Sequence, residues 1–381
     1  MGTTEGYGSR VIVTTPLPTP PVLTAPAAHE VSYGLVRGTA APGSQRVIVR
    51  VNGRLVAKQP LAARRFVVDL DLPFGEHVVV VETFDASGRA ARRTVADVYG
   101  LPRAARPREQ GSRLAPALQN DLRRLARGFG SSCAFYVQDL ATGAGAAWNA
   151  RAEYPAASTL KLAVAVTALA RFDTTPTYGS VLDGTFRSML DYSDNGAANR
   201  LEVWFGGSTS GGSHLVNETM ESIGLTQTDM YGGYLLDSVR ATSGFGSIPL
   251  TTVEQPSWGR GKRTTAFDLA RLSRAVWLAS GGLGPLRRSV SGFSAADGRY
   301  LLRLLADVHD HDKLDRALPA HLTRVIHKAG WIDTARHDNG IVFWRGGVFV
   351  ATVMTYRSWG VGTSSDVLAG QVALAAFRRF R

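Results

Sequence analysis

The sequence predicts a two-part chain. A small all-β sandwich comes first, and a larger α/β domain follows, with an antiparallel sheet flanked by helices and an added all-helical part. Residues 31–99 consist of short β-rich runs separated by turn residues, whereas the rest of the chain alternates helical and β patterns. With 381 residues, 44% of them apolar, the chain is long enough for two ordinary domains with packed cores.

The charge of the chain argues against a nucleic-acid partner. It carries 43 basic and 31 acidic residues, a net charge of +12, but only 19% of its residues are charged. The excess has no run of like charges, no basic stripe with aromatic residues and no zinc-ligand spacing. Attraction to anionic polymers of a cell envelope, or a plain preference for arginine over lysine, fits equally well. We expect a monomer without nucleic acid.

Cysteine content and apolar run length exclude two more classes. Cys133 is the only cysteine, which rules out an internal disulfide framework and a cysteine-rich metal site. The longest apolar stretch, residues 160–170, is about half as long as a membrane span and contains Lys161, so we expect a buried helix there. Residues 1–10 lack the basic start and apolar core of a signal peptide.

The N-terminal part divides into a linker, a sandwich and a second linker. Residues 1–28 are predicted to be a linker, because five prolines in their second half favour an extended chain. Residues 29–100 contain β-rich runs and the hairpin signal Asn52-Gly53, which predicts an immunoglobulin-like sandwich. We interpret it as a spacer or adhesion module, since it has no catalytic cluster. Residues 101–112 form the second linker.

The α/β domain is predicted to span residues 113–381. Four apolar residues on one helical face, at Leu114, Leu118, Leu122 and Leu125, indicate its first helix. Two strands follow directly, two more are joined across Arg345–Gly347, and a closing helix ends the chain. The glycine-rich residues 206–213 predict a flexible loop.

The first chemical motif is Ser158 followed by Lys161 at the start of the predicted buried helix. Residues three apart share one face of a helix, so the two side chains are expected to meet. A serine hydroxyl becomes a nucleophile when a neighbouring base removes its proton, and a lysine serves as that base once burial and nearby positive charge lower its pKa. Arginine cannot do so, and this chain has only five lysines.

Two further motifs follow in order. Ser193 and Asn195, in the sequence SDN, offer a hydroxyl that relays a proton and an amide that binds both a lysine and a substrate carbonyl. Lys328 ends a β-rich run and would place a cation opposite Ser158, while Gly330 lets a substrate backbone approach closely. Each motif alone is common, but the ordered set is rare.

With these motifs the chain resembles the class A β-lactamase and penicillin-binding-protein superfamily, whose signature is SxxK, SDN and KTG in this order. The resemblance covers about residues 113–381 and includes the flanking segments YSDNGAANRL, RTTAFDLARL and DKLDRALPAHLTRVIHKAGWI. It implies a class A β-lactamase-like fold that needs no cofactor and no metal.

The resemblance also implies roles for individual residues. Ser158 is the acylated nucleophile, Lys161 its general base and Ser193 the proton relay. Asn195 holds Lys161 and the substrate amide, and Lys328 steers an anionic substrate. The backbone amides of Ser158 and Trp331 form the oxyanion hole, in which each donor contributes roughly 3 kcal/mol.

Two departures from the family pattern concern substrate recognition and water activation. The third motif is Lys328-Ala329-Gly330, so the hydroxyl that usually follows the lysine is absent. Class A enzymes also carry a glutamate in an ExxN loop that activates water, and no ExxN follows Asn195. Glu254 is the only glutamate of residues 231–263, and Asp229 and Asp237 are weaker candidates for this base.

Three functions remain open on these grounds. The first is a serine hydrolase that acylates Ser158 with a β-lactam, or a related amide or ester, and clears antibiotic. The second is a penicillin-binding protein acting on peptidoglycan stem peptides as a D-alanyl carboxypeptidase or transpeptidase. The third is a catalytically weak envelope-binding protein. All imply a secreted or cell-wall location, although no targeting segment is visible.

Four histidines are assigned ordinary roles. His309 and His311 alternate with aspartates, but nothing else at ligand spacing supports a metal, so a solvated loop is the preferred interpretation. His327 and His337 flank the third motif and the strand after it, and we expect them to pack or hydrogen-bond locally.

Overall fold

The chain divides into two compact units in the computed structural model, which describes residues 19–172, 174–230, 248, 250, 252–253, 255, 258 and 261–381. The first unit contains residues 35–70 and 77–96 with the described part of the 28 N-terminal residues. The second contains residues 29–34, 71–76 and 97–381.

The first hundred residues form short strands. In chain order they are β1 (Val22–Ala25), β2 (Val31–Ser32), β3 (Leu35–Thr39), β4 (Ser44–Val51), β5 (Arg54–Pro60), β6 (Arg65–Asp69), β7 (Gly75–Asp85) and β8 (Ala90–Gly100).

The first unit is built from two sheets, one with the strand order β1-β3-β6 and one containing β8-β7-β4-β5. Along β6, buried Phe66 and Val68 alternate with exposed neighbours, the pattern of a strand with one covered face. Asn52 and Gly53 join β4 to β5 with φ of 49° and 80°, as the hairpin signal requires. The expected all-β N-terminal part is therefore confirmed, and its antiparallel strands are consistent with an immunoglobulin-like sandwich.

One segment of the expected N-terminal linker is a strand. Val22–Ala25 pairs with β3 in antiparallel register, Val22 lying opposite Thr39. The strand itself contains no proline, since Pro21 precedes it and Pro26 follows it. β1 is also an edge strand, where nearby prolines, which lack a backbone donor, are tolerated.

The second unit continues with strands β9 (Arg113–Leu114), β10 (Ser132–Asp139), β11 (Ala144–Trp148), β12 (Glu153–Pro155), β13 (Arg263–Thr265), β14 (Thr323–Ile332), β15 (Ala335–Trp344) and β16 (Gly347–Tyr356). Its helices are α1 (Pro116–Phe129), α2 (Lys161–Phe172), α3 (Val181–Asp191), α4 (Asn195–Gly206), α5 (Thr209–Ser222), α6 (Ala266–Ser280), α7 (Gly284–Ser289), α8 (Ala295–Leu305) and α9 (Ser364–Phe380).

A six-stranded sheet with the order β14-β15-β16-β10-β11-β9 forms the centre of this unit. β10 is buried on both faces, and its alternate residues enter different cores. Phe135 packs with α1 and α9 on one face, whereas Tyr136 packs with α2 and α6 on the other. Because β14 is the edge strand of the sheet, one of its sides is open to the helical part.

The helical part corrects the expectation of a flexible loop at residues 206–213. Only Gly207 and Ser208 separate α4 from α5, and the Ser208 hydroxyl caps α5 by accepting a bond from Gly211 N. A Cβ placed on Gly212 would lie 2.5 Å from Glu202 Cβ. The glycines therefore allow two helices to pack closely.

α2 is the predicted buried helix, with every residue from Lys161 to Leu169 buried. Across the described ranges, no helix is long and apolar enough to cross a membrane.

Candidate active site

Ser158 lies in a 3₁₀ turn, Ala157–Leu160, that leads directly into α2. The α-helix itself begins three residues later than the sequence indicates, at Lys161. Ala157 has a φ of +47°, a left-handed conformation that costs energy for a residue with a Cβ. Local strain therefore sits immediately beside the candidate nucleophile.

Lys161 reaches back from the first position of α2 to Ser158, with 3.1 Å between Nζ and Oγ. Its amine also donates to Asn195 Oδ1 at 2.7 Å, to Ser193 Oγ at 3.2 Å and to the Ser193 carbonyl oxygen. The first two motifs therefore converge on one nitrogen atom.

The environment of Lys161 makes its amine a stronger candidate base than an ordinary lysine. Burial, assisted by the charges of Lys328 and Lys262, lowers its pKa to about 8, although Asp194 opposes the shift. A substantial fraction of the amine is then neutral near pH 8, as removal of the Ser158 proton requires.

Ser193 is presented by the turn between α3 and α4 with a φ of 59°. Asp194 follows it and caps α4 by accepting a bond from Ala197 N. The Ser193 hydroxyl accepts from Lys161 Nζ at 3.2 Å and from Lys328 Nζ at 3.1 Å. Because both lone pairs are engaged, the hydroxyl is free to donate its own proton elsewhere.

Lys328 approaches from β14 and is only 1% exposed. Besides Ser193 Oγ, its ammonium donates to the Ala329 carbonyl oxygen at 3.0 Å. Burial lowers the pKa of Lys328 to about 8, against the opposing effect of Asp310 and Asp338. The third motif is thus joined to the other two through Ser193.

Gly330 brings β14 against the turn that carries Ser158. A Cβ added there would lie 2.7 Å from the backbone nitrogens of both Ser158 and Thr159. Gly330 therefore brings the β14 backbone next to the Ser158 amide, and Trp331, whose amide is the second expected oxyanion donor, is the next residue. The Trp331 side chain is 57% exposed.

His337 fixes the chain just before Ser158. Its Nε2 donates to the Pro155 carbonyl oxygen at 2.7 Å, and its Nδ1 accepts from Thr355 N at 3.2 Å. Burial lowers the pKa of His337 to about 4, so the ring is neutral in this tautomer. His327 makes a buried pair with Asp338, 2.8 Å from Nδ1 to Oδ1. Both histidines therefore bond locally, as expected.

The candidates for the water-activating base fall partly outside the described residues. Glu254 and Asp237 both lie outside the residues that the structure describes. Asp229 is described, and it is a structural group: its Oδ1 accepts from Asn217 Nδ2 at 2.9 Å, and its Oδ2 lies 3.5 Å from Arg263. It also shares paired backbone hydrogen bonds with Arg263. These contacts hold the Asp229 carboxylate against Asn217 and Arg263.

The aspartate-flanked histidines show ordinary contacts. His309 stacks on Tyr192, and His311 Nδ1 lies 3.2 Å from Asp315 Oδ2. Among the residues with described positions, no cluster of histidine, cysteine and carboxylate side chains could hold a metal ion.

Sequence reasoning missed Lys262 and Tyr192 as neighbours of the site. The Lys262 carbonyl oxygen accepts from Ala156 N at 2.8 Å, and its charge helps to lower the pKa of Lys161. The scarcity of lysine was the only signal for Lys262 in the sequence. Tyr192 directly precedes Ser193 but belongs to no motif.

The residues of this site lie within a region that matches a known protein family. A model of the beta-lactamase enzyme family matches residues 117–177 and 180–380. No sequence among the curated proteins matches.

Solved structures resemble the second unit. A mutant of PBP-A, in an acyl-enzyme complex with penicillin G, is 19% identical, covers 71% of this chain and 99% of its own, and has a TM-score of 0.53. An ancestral class A β-lactamase (GNCA) is 22% identical and covers 69% and 100%, with a TM-score of 0.52. A class A β-lactamase from Mycobacterium abscessus is 18% identical and covers 69% and 99%, with a TM-score of 0.51. At these identities the likeness shows the class A β-lactamase fold.

Proposed function

The chain belongs to the beta-lactamase enzyme family, and from this premise we propose that it is a serine hydrolase that forms an acyl-enzyme at Ser158 and hydrolyses a β-lactam or a related amide or ester. One observation carries the proposal. The Lys161 amine is buried, has a pKa lowered to about 8, and lies 3.1 Å from the Ser158 hydroxyl.

Acylation would begin with the neutral amine of Lys161. It takes the Ser158 proton as Oγ attacks the carbonyl carbon, so that the Oγ–C bond forms and the carbonyl oxygen becomes an oxyanion. The backbone amides of Ser158 and Trp331, brought together by Gly330, donate to that oxygen. Asn195, which already accepts from Lys161, orients the amine and offers its own NH₂ to the substrate.

Ser193 would complete the step. Its hydroxyl gives a proton to the departing nitrogen or oxygen as the bond from the carbonyl carbon breaks. The ammonium of Lys161, 3.2 Å away, then returns a proton to Ser193. Lys328, on the other side of the same hydroxyl, holds it in place and adds positive charge.

Hydrolysis needs a base for the attacking water, and here a second function has support. None of the described carboxylates hydrogen-bonds to Ser158 or Lys161. A site without such a base would form an acyl-enzyme and release it slowly, and the missing ExxN segment after Asn195 favours this second function, a penicillin-binding protein acting on peptidoglycan stem peptides. Glu254 is the base proposed for the hydrolase.

A time course with a chromogenic cephalosporin and a fluorescent penicillin separates these functions. A hydrolase turns over the cephalosporin many times, and Glu254→Gln makes the labelled acyl-enzyme persist. A penicillin-binding protein binds one equivalent of label without sustained turnover. The absence of label with every lactam and activated ester, in folded protein, indicates a binding protein of the envelope instead.

We also propose an extracytoplasmic, secreted or cell-wall-associated location, because β-lactams and peptidoglycan stem peptides are encountered there. The net charge of +12 supports contact with anionic polymers of the envelope. Fractionation of cells that produce the chain tests this, and recovery in the cytoplasm alone would contradict it.

A further inference from the structure

The Tyr192–His309 pair of stacked rings begins at the residue directly before Ser193, and we consider whether it contacts the substrate. In the proposed acylation Ser193 protonates the leaving atom, and Tyr192 is the residue directly before Ser193. Tyr192 is 67% exposed, and its ring stacks on that of His309 with centroids 4.4 Å apart and planes 28° from parallel. The inference drawn from this pair rests on the proposed function.

The two rings are fixed by the backbone beneath them. Asp191 is the last residue of α3, and Tyr192 is its C-cap. The backbone N–H of His309 donates to the carbonyl oxygen of Asp191 at 3.1 Å. Both rings are thus tethered to one turn of backbone. A preformed, exposed aromatic surface binds flat or apolar groups at little entropic cost.

The groups that would bind a carboxylate on this side are absent or already engaged. Ala329 has no hydroxyl to donate, whereas the family pattern has one at this position. The Lys328 ammonium is 1% exposed and donates to Ser193 and Ala329. Arg336, opposite Trp331 in the sheet, donates to both carboxylate oxygens of Asp366 at 3.2 and 2.7 Å.

A nearby acidic residue also disfavours a negatively charged leaving group. Asp194 follows Ser193 and is exposed, and Asp310 follows His309 in an ion pair with Lys313. Asp310 is already neutralised by Lys313, but the carboxylate of Asp194, one residue from Ser193, would repel a negatively charged leaving group. An uncharged group avoids this repulsion.

We propose that the Tyr192–His309 stack is a leaving-group subsite that selects esters or amides whose leaving group is an uncharged aromatic or other flat apolar group. The ring of the leaving group lies on Tyr192 while the Ser158 Oγ–acyl bond forms and the bond to the leaving atom breaks. Lys161 accepts the proton of Ser158, and Ser193 supplies one to the leaving atom.

The test compares two esters with the same acyl group, a phenyl ester and its meta-carboxyphenyl counterpart. They differ in one carboxylate on the ring, and the rate of acylation of Ser158 is measured by mass spectrometry. We expect the phenyl ester to acylate about tenfold faster, and Ala329→Thr to reduce that ratio. A wild-type preference for the carboxyphenyl ester would overturn the proposal.

Variants of the aromatic pair provide the second arm of the test. Tyr192→Ala is expected to slow acylation by the phenyl ester about fivefold through KM, and Tyr192→Phe to restore it. The control is Tyr178→Ala, which breaks a similar exposed stack, Tyr178 on His29 with centroids 3.7 Å apart. Tyr178 precedes α3, roughly 16 Å along the helix from Tyr192.

Failure of this inference is distinguishable from failure of the proposed function. If Tyr192→Ala and Tyr178→Ala behave alike while Ser158 is acylated, the subsite is wrong and the hydrolase remains. If neither ester acylates Ser158 in folded protein, the proposed function itself is wrong.

Discussion

At the scale of single residues, two lysines and two serine hydroxyls provide the chemistry of this site. The sequence identifies Ser158, Lys161, Ser193 and Lys328 through the order of three motifs, and the structure joins them through Ser193 Oγ. A sequence motif does not show how deeply a side chain is buried in the folded protein. The pKa of each lysine is about 8 because both amines are buried, and burial is a property of the folded chain.

Replacing Lys161 by arginine tests whether the amine acts as a base. Arginine keeps the positive charge and the hydrogen-bond donors, but it does not lose its proton at accessible pH. We expect Lys161→Arg to slow acylation of Ser158 by roughly 10²–10⁴-fold, the usual contribution of a general base. Lys58→Arg, at a position in β5 of the first unit, serves as the matched control. Equal labelling rates for the two variants would contradict a base role.

Burial of the neutral His337 ring predicts that the stability of the protein depends on pH. Its pKa is about 4 in the folded chain and 6.5 for an ordinary histidine, so the unfolded chain binds more protons between these values. Stability therefore rises with pH in this window, and acidification across it costs about 3 kcal/mol. We expect His337→Gln to remove this part of the pH dependence, as measured by urea unfolding of both proteins at pH 4–7. Parallel curves for the two proteins would show that His337 is not buried and neutral.

At the scale of elements, the approach of β14 to the turn at Ala157–Leu160 decides whether the site exists. Gly330 alone permits it, since a Cβ there would lie 2.7 Å from two backbone nitrogens. The sequence predicted a glycine for close approach, but it assigned the approach to substrate. The structure adds that protein backbone occupies the same place, a contact between elements about 170 residues apart.

Gly330→Ala is expected to displace β14 and slow acylation at least tenfold, because the two oxyanion donors separate. The effect should appear in kcat more than in KM. Gly128→Ala in α1 is the control: a Cβ there meets nothing within 4 Å, and alanine in a helix stabilises by about 0.5–1 kcal/mol. Full activity in Gly330→Ala would show that the strand does not set the oxyanion hole.

Errors of sequence interpretation at this scale share one physical cause. Glycines at 206–213 were interpreted as flexible, yet they allow α4 and α5 to touch. Prolines before residue 28 were interpreted as a linker, yet Val22–Ala25 pairs at a sheet edge. In both cases tertiary contacts override a local preference, and no pattern within a short window reports such contacts.

At the scale of the whole molecule, the unit that carries the site includes residues from the β-rich N-terminal segment. Residues 29–34 belong to it, and Tyr33 lies in its core with the hydroxyl 3.0 Å from Ser280 Oγ. Glu30 pairs with Arg299 in the same unit. The composition shift that suggested a boundary near residue 100 could not show this, because the contacts span about 250 residues.

These contacts predict that the second unit depends on residues 29–34. Tyr33→Phe in the full chain removes one buried hydrogen bond, and we expect the free energy of unfolding of this unit to fall by about 1 kcal/mol. A chain that begins at residue 97 loses Glu30 and Tyr33 together and should melt at lower temperature than the full chain. Equal melting temperatures would contradict the dependence.

The central claim is that a buried amine of lowered pKa activates Ser158, and the pH dependence of acylation measures this most directly. The protein is mixed with a penicillin at a series of pH values, and the rate of adduct formation on Ser158 is followed by intact mass and peptide mapping, with Ser158→Ala as the blank. We predict a rate that rises with pH and has an apparent pKa of about 8. A rise centred near 10.5, the ordinary lysine value, or an adduct that persists in Ser158→Ala, would contradict the account.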